Sequence, residues 1–246
     1  MQFEHAPQLR EAYPDLVAGV VRAAGITATA DVTARTAGYL ADARRRLAGG
    51  AESGFPEIQA WRRAYAAMGL RPTRYRCAAE ALLRRLRLDG ELPRVHPLVD
   101  LCNAISAAYA IPVAVLDLDR VDGDLVVRPA QGDEEYLSFA GHTEHPEPGE
   151  VTFVDSAGRA HARRWTNRQS GWSAVRAGTS SVLIVAEAVH PGGEPAVTRL
   201  VADLVRELTD GWSAPPAAAV LTAAAPRFRT PAAGGDRGQA VSQGIR

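Results

Sequence analysis

Apolar positions recur along this chain with two spacings, one close to a helical turn and one alternating. Residues 16–24, LVAGVVRAA, form a short Val-rich run between Pro14 and Gly25 and predict a buried strand. Residues 31–47 predict a helix, with Asp31 as N-cap and Gly49-Gly50 as its end. A second helix is expected over 56–68, where Ile58, Trp61, Tyr65 and Met68 share a face. A third is expected over 76–88, with Ala79, Leu82, Leu83 and Leu86 inward and Arg84, Arg85 and Arg87 elsewhere. A fourth starts at Pro97, a residue suited to the first helical position. Its apolar stripe is Leu98, Leu101, Cys102, Ile105 and Tyr109, while Asp100, Asn103 and Ser106 share another side. Strands are expected over 111–118, 125–129, 135–139, 151–154 and 160–165, with Asp122-Gly123 read as a type I′ hairpin turn. Residues 180–189 are a β-rich apolar run interrupted only by Glu187, and 196–209 predict an amphipathic helix. Beyond Trp212 the composition turns to Ala, Pro, Gly and Ser, so 213–246 is expected to be a disordered tail. Helices followed by strands and a last helix predict an α+β fold with a mixed or antiparallel sheet, forming one domain over 1–212.

Charge adds structure that the neutral total conceals. All 28 basic residues are arginine, balanced by 28 acids. Nine Arg face three acids between Trp61 and Arg94, eleven acids face two Arg between Asp117 and Asp155, and five Arg face no acid between Ser156 and Ala186. Arginine's planar fork suits phosphate, so the two basic segments read either as solvated faces or as a surface for a phosphate backbone. No apolar run is long enough for a membrane helix, and the N-terminus lacks the basic and apolar parts of a secretory signal. Cys77 and Cys102 therefore read as reduced thiols, and a cytoplasmic location is expected.

Motifs for nucleotide hydrolysis, dinucleotide redox chemistry, zincin proteolysis and the common serine hydrolases are absent, and neither a cofactor nor a metal is expected. Asp117, Asp119, Asp122 and Asp124 do not have calcium-loop spacing, and His142, Glu144 and His145 lie in a Pro/Gly-rich loop. Two features remain. Glu187 puts a carboxyl group inside an apolar strand, where it is paired, solvated in a cavity, protonated, or turned out to water. The stretch 161–172, HARRWTNRQSGW, gathers guanidinium, indole and amide groups and holds no acid. As a strand it would point Arg163, Trp165 and Asn167 one way and Arg164, Thr166 and Arg168 the other.

The segment HPLVDLCNAISAAYAIPVAVLDLDRVDGDLVVRPAQGDE resembles the tRNA-editing (B3/B4) domain of the bacterial phenylalanyl-tRNA synthetase β subunit. The matching parts are Val99-Asp100-Leu101-Cys102-Asn103, Ile111-Pro112, Leu116-Asp117-Leu118-Asp119 and Leu125-Val126-Val127-Arg128. Free-standing proteins of this domain are more similar still, from Phe55 through Val189, including FPEIQAWRRAY, EPGEVTFVD, RRWTNRQS and TSSVLIVAE. The resemblance implies hydrolysis of the ester bond of a mischarged tRNA. It places Asn103 and Glu187 in the pocket, with Glu187 implicated in recognising the amino acid. Arg163 joins them as a catalytic candidate, and Arg164, Trp165, Asn167, Arg168, Asp100 and His96 are candidates for binding substrate or tRNA. Two family features are missing. Ala114 stands where the family carries a histidine, and RRWTNRQSGW replaces a glycine-rich loop.

An aminoacyl ester is already activated, so the reaction needs a placed water, a proton acceptor and donors for the oxyanion. The expectation is a deacylase acting in trans on the aminoacylated 3′ end of tRNA, with no membrane or DNA partner. Two other readings stay open: an RNA-binding module without chemistry, and an amino-acid-binding protein reusing the pocket.

Overall fold

The computed structural model describes residues 1–212 and 216–230, and the periodic segments form its framework. In chain order the elements are β1 (Gln2–His5), α1 (Pro7–Ala12), β2 (Leu16–Ala24), α2 (Thr33–Ala48), α3 (Pro56–Ala67), α4 (Ala78–Asp89) and α5 (Pro97–Tyr109). Then come β3 (Val113–Asp117), β4 (Leu125–Pro129), β5 (Glu135–Leu137), β6 (Thr143–Glu144), β7 (Val151–Asp155), β8 (Arg159–Ala160), β9 (Ala162–Arg163) and β10 (Arg168–Gln169). The last are β11 (Ser181–Val189), α6 (Gly193–Trp212), β12 (Ala217–Leu221) and β13 (Arg227–Arg229). The α+β class expected from the pattern is what the chain forms.

Strands β12-β2-β11-β3 build an antiparallel four-stranded sheet, and β13-β1-β4-β7-β8-β5-β6 build a mixed seven-stranded one. Strand β11 is the spine of the first sheet, because its whole length pairs with β2, from Ser181 opposite Ala24 to Val189 opposite Leu16. Its two faces divide the core. Val182, Ile184, Ala186 and Ala188 pack with Leu98, Leu101, Val197 and Leu200 of α5 and α6. Leu183 and Val185 belong to the other cluster, with Phe3 and Phe153 of the larger sheet and Trp61 and Tyr65 of α3. Gly19 on β2 permits the close approach of α6, since a Cβ there would collide with the Val201 side chain and lie 3.0 Å from Val197 Cγ1.

Helix ends follow local chemistry. Gly90 closes α4 in the left-handed region at φ 80°, where a side chain would be strained. His96 caps α5 by accepting the Leu98 N–H at Nδ1, ahead of Pro97.

Three expectations are corrected. Asp122-Gly123 is not a hairpin, although Gly123 has the positive φ of 63°. Residues Leu118–Arg120 form a short 3₁₀ turn that carries the chain from one sheet to the other, so β3 pairs with β11 and β4 pairs with β1 and β7. The Gly123 turn is instead fastened to β7–β8, with the Ser156 N–H donating to Asp122 O and Asp124 N–H donating to Ser156 Oγ, each at 2.9 Å. Residues 160–165 are not one strand: a bend at His161 separates β8 from β9, and the chain turns sharply at Arg164 and Trp165. Lastly, part of the supposed tail is ordered: β12 pairs with β2 and β13 with β1. Alanine-rich β12 is legible only through its partner. Residues 213–215 and 231–246 lie outside the described residues.

Candidate functional site

Alternation along β11 puts Glu187 on the same side as Leu183 and Val185, inside the space between the two sheets. At 1% exposure it is buried, not turned out to water. Opposite it on β2 stands Ala18, too small to fill the space beside a carboxyl group. Oε1 accepts two bonds, from His5 Nε2–H at 2.7 Å and from Trp165 Nε1–H at 2.9 Å. Oε2 has no protein partner among the described residues. Behind His5, an Arg10 guanidinium N–H reaches Nδ1 at 3.4 Å. An acceptor at Nε2 and a donor at Nδ1 assign His5 the Nε2–H tautomer. Burial pushes the Arg10 guanidinium down, while the nearby Glu187 pulls it back up. Its Nε is enclosed and has no partner among the described residues.

Glu187 lines a half-enclosed cavity of about 70 Å³, with Ala114, Phe153 and Trp165 on its apolar side and Asn167, Arg168 and Gln169 among its polar lining. At about 10–15 Å³ per water centre this holds roughly five waters, or a small group, but not a nucleoside. Ala114 lies opposite Val185 in the β3–β11 register, and its small side chain leaves part of this space open.

The stretch that looked like a strand is a strained turn. Arg164 and Trp165 are successive left-handed residues, at φ 50° and 62°. Each such non-glycine residue costs of order 1 kcal/mol or more, so it persists only where neighbours dictate it. Here the Arg164 N–H donates to Glu150 Oε1 at 2.7 Å, and the Trp165 N–H to Val151 O at 2.6 Å. Its indole ring packs edge-on against Trp61 and Tyr13, with centroids 4.9 and 5.1 Å apart. The turn points the buried indole N–H at Glu187.

The expected site residues therefore separate. Glu187, Trp165, Asn167 and Arg168 share one cavity. Trp165 is enclosed and so is a holder of Glu187, not an open platform for a base. Asn167 lines the cavity while its amide N–H donates to Arg76 O at 2.8 Å, and Arg168 stays largely exposed, 3.6 Å from Glu144. Arg163, a catalytic candidate, turns away from the cavity into a buried ion pair with Glu150 at 2.6 Å and Glu144 at 2.7 Å. Burial works against its charge, but these carboxylates hold its proton more tightly than usual. Arg164 stacks its guanidinium over Tyr75, 4.5 Å from the ring centroid. Asn103 does not meet Glu187. It lines a second cavity of about 270 Å³ with Asp100, Arg44, Arg94 and Thr36. The helical spacing that put Asn103 beside Asp100 is right, but that side of α5 faces α2. Asp100 Oδ1 accepts the Val95 N–H at 2.8 Å, and with His96 it fastens the start of α5.

A second buried imidazole lines the Glu187 cavity. His161 Nε2–H donates to Asp155 Oδ2 at 3.1 Å, so Nδ1 accepts from Ser173 Oγ at 2.9 Å. Ser173 is fully buried and outside the cavity lining, so this Ser–His–Asp set is a clamp, not a nucleophile. Burial raises the Asp155 carboxyl, but the His161 bond and the N–H groups of Arg159 and Asp122 outweigh it and hold it below the usual range. Both thiols are buried and pushed up to about 12, which removes Cys77 and Cys102 as nucleophiles.

Sequence reasoning missed His5, and the signal was faint. Phe3 and His5 alternate as buried positions in QFEH, too short a stretch to mark a strand.

The family model described as "B3/4 domain" matches residues 60–193, more than half of the chain. The chain belongs to the B3/4 domain family. Among solved structures it is similar to an N-terminal fragment of the phenylalanyl-tRNA synthetase β-subunit from Pyrococcus horikoshii. Identity is 8% and the TM-score 0.42, over 82% of this chain and 48% of that one, so the chain spans about half of the fragment's length. Among curated proteins there is no match.

Proposed function

We propose that this chain is an aminoacyl-tRNA deacylase acting in trans, hydrolysing the ester bond of mischarged tRNA. The observation that carries the reading is the buried Glu187 carboxyl, with Oε1 held by His5 and Trp165 and Oε2 left to a small cavity. A carboxyl group fixed in this way can take the proton from a water as its oxygen attacks the ester carbonyl carbon. Collapse of the tetrahedral intermediate breaks the bond to the ribose oxygen, which takes a proton as the free amino acid leaves. Arg168, which lines the cavity, takes the anion-binding role first expected of Arg163. The cavity receives the amino-acid end, and the nucleoside stays at its mouth by Asn167 and Arg168.

An RNA-binding module without chemistry is the second reading. It is favoured by the placement of Arg163 in an ion pair and of Asn103 in another cavity, which leaves the oxyanion fewer donors. A panel of mischarged tRNAs separates the two. Under the deacylase reading the wild-type protein frees at least one amino acid well above spontaneous hydrolysis. Glu187→Gln, which keeps the volume and an acceptor oxygen, slows that step by about 10²–10⁴-fold while the protein stays folded. Binding of the panel with no release, or an E187Q variant as fast as wild type, sinks the deacylase reading.

A further inference from the structure

The basic residues between α3 and α4 have no role in the cavity chemistry, yet this loop borders the cavity. The Ala78 N–H donates to Thr166 O at 2.8 Å, Asn167 donates to Arg76 O, and Tyr65 and Thr166 share a hydroxyl hydrogen bond of 3.0 Å. Ala78, Thr166 and Asn167 all line the cavity. The loop is a formed turn, since Arg71 O accepts the N–H groups of both Arg74 and Tyr75 at 2.9 Å.

Its charges are of two kinds. Arg76 lies 3.4 Å from Glu80, which also pairs with Arg62. The guanidinium groups of Arg71, Arg74 and Arg164, by contrast, have no carboxylate within 4.0 Å among the described residues. Arg71 and Arg74 are exposed. Arg74 and Arg164 both reach the Tyr75 ring, with guanidinium carbons 5.2 and 4.5 Å from its centroid. A guanidinium stacked on a ring keeps its in-plane N–H groups free for an anion. Other arginines are matched by carboxylates: Arg46 by Glu57, Arg85 by Asp89, Arg87 by Glu52 and Arg163 by two glutamates. Unmatched guanidinium groups interleaved with an aromatic ring, beside a cavity mouth, are suited to the phosphates of a single-stranded nucleic-acid end.

We propose that Arg71, Arg74 and Arg164, assembled around Tyr75, form a phosphate-backbone contact surface that leads an RNA 3′ end to the Glu187 cavity. The inference rests on the reading of that cavity as the ester site, but its test is separable. Arg71 and Arg74 stand outside the cavity, so Arg71→Gln with Arg74→Gln leaves the chemistry untouched. Binding of an unmodified tRNA transcript is followed by fluorescence anisotropy between about 50 and 200 mM salt, where counterion release dominates. Each phosphate contact contributes about 0.7–0.9 to the slope of log affinity against log salt, so the double variant lowers that slope by about 1.4–1.8 and weakens binding. Its hydrolysis of a 2′(3′)-O-aminoacyl adenosine, which has no phosphate backbone, equals that of wild type. Arg84→Gln with Arg85→Gln removes the same charge from α4, whose carboxylate partners are Glu52 and Asp89, and leaves the slope unchanged.

A slope that stays at the wild-type value in R71Q/R74Q, or that falls equally in R84Q/R85Q, overturns the surface even if deacylation is real. Binding of anionic lipid vesicles through Arg71 and Arg74, with no binding of tRNA, overturns it in favour of a membrane. A reduced slope in a protein that hydrolyses nothing upholds the surface and removes the deacylase.

Discussion

Glu187 accepts two hydrogen bonds on one oxygen, and the donors come from distant parts of the chain: His5 from the first strand and Trp165 from the turn between β9 and β10. Removing one donor from a buried acceptor exposes the remaining group's desolvation cost, about 1–3 kcal/mol and more when it is charged. His5→Phe keeps an aromatic ring beside Phe3, whose centroid lies 5.4 Å away, and deletes only the N–H groups. H5F is expected to lower the urea midpoint by an amount equivalent to about 1–3 kcal/mol. In an E187Q background the loss is smaller, because a neutral amide needs the donor less. Equal losses in both backgrounds would mean that His5 acts by packing alone. At this scale the sequence was half legible. A carboxyl group in an apolar strand is an anomaly that singles out Glu187 without any structure. Which donors meet it depends on contacts across 182 and 22 residues of chain, which no local spacing encodes. Arg163 shows the same limit: its charge was visible, but its glutamates on β6 and just before β7 were not.

Among the elements, long periodic segments declared themselves. β2 and β4 have the limits that their patterns predicted, α5 starts at Pro97 as expected, β11, α2, α3, α4 and α6 differ from theirs by a few residues at their ends, and the short α1 was not predicted. Strands of two to four residues carry little period, so β1, β9 and β10 were lost or merged. Asp122-Gly123 supplied the positive φ it promised but could not say which sheet the next strand joins. Helix α5 gives a prediction at this scale. Its cap is the neutral Nδ1 of His96, and the ring's Nε2 is buried with no partner among the described residues. Burial pushes the His96 imidazole below its ordinary value, against a smaller upward pull from Asp100. A histidine lowered in the folded state binds its proton more readily when unfolded. Its contribution to stability is therefore complete above the unfolded value of about 6.5 and is lost as pH falls through that value toward the folded one. Melting temperature is expected to drop between about pH 7 and 5 for the wild type. His96→Asn supplies a capping oxygen that does not titrate and should flatten that part of the curve. An unchanged pH dependence in H96N would assign the loss to another group.

For the molecule as a whole, the segment that matches the B3/4 family carries every residue lining the Glu187 cavity, but not all the elements that hold those residues in place. Residues 60–193 contain β11 and Glu187 but omit β2, most of α6, and the strands β1, β12 and β13. Within that segment β11 keeps only β3 as a partner, and the edge that pairs with β2 from Ser181 to Val189 is left open. Its other face loses Leu200, Val201, Leu204 and Leu208, and Glu187 loses its His5 donor. An unpaired apolar strand of this length invites association with other chains. We therefore propose that the folding unit is the chain through β13, and that the ordered end is part of it. β13 pairs with β1, which runs parallel to β4, and that pairing fixes the strand that delivers His5. A fragment of residues 60–193 is expected to show no cooperative unfolding transition and to aggregate, whereas residues 1–230 unfold cooperatively. Circular dichroism through a urea titration measures both. A cooperative transition in the shorter fragment would mean that β3, α5 and the larger sheet suffice to hold β11. Glu187 would then keep its place without the two ends of the chain.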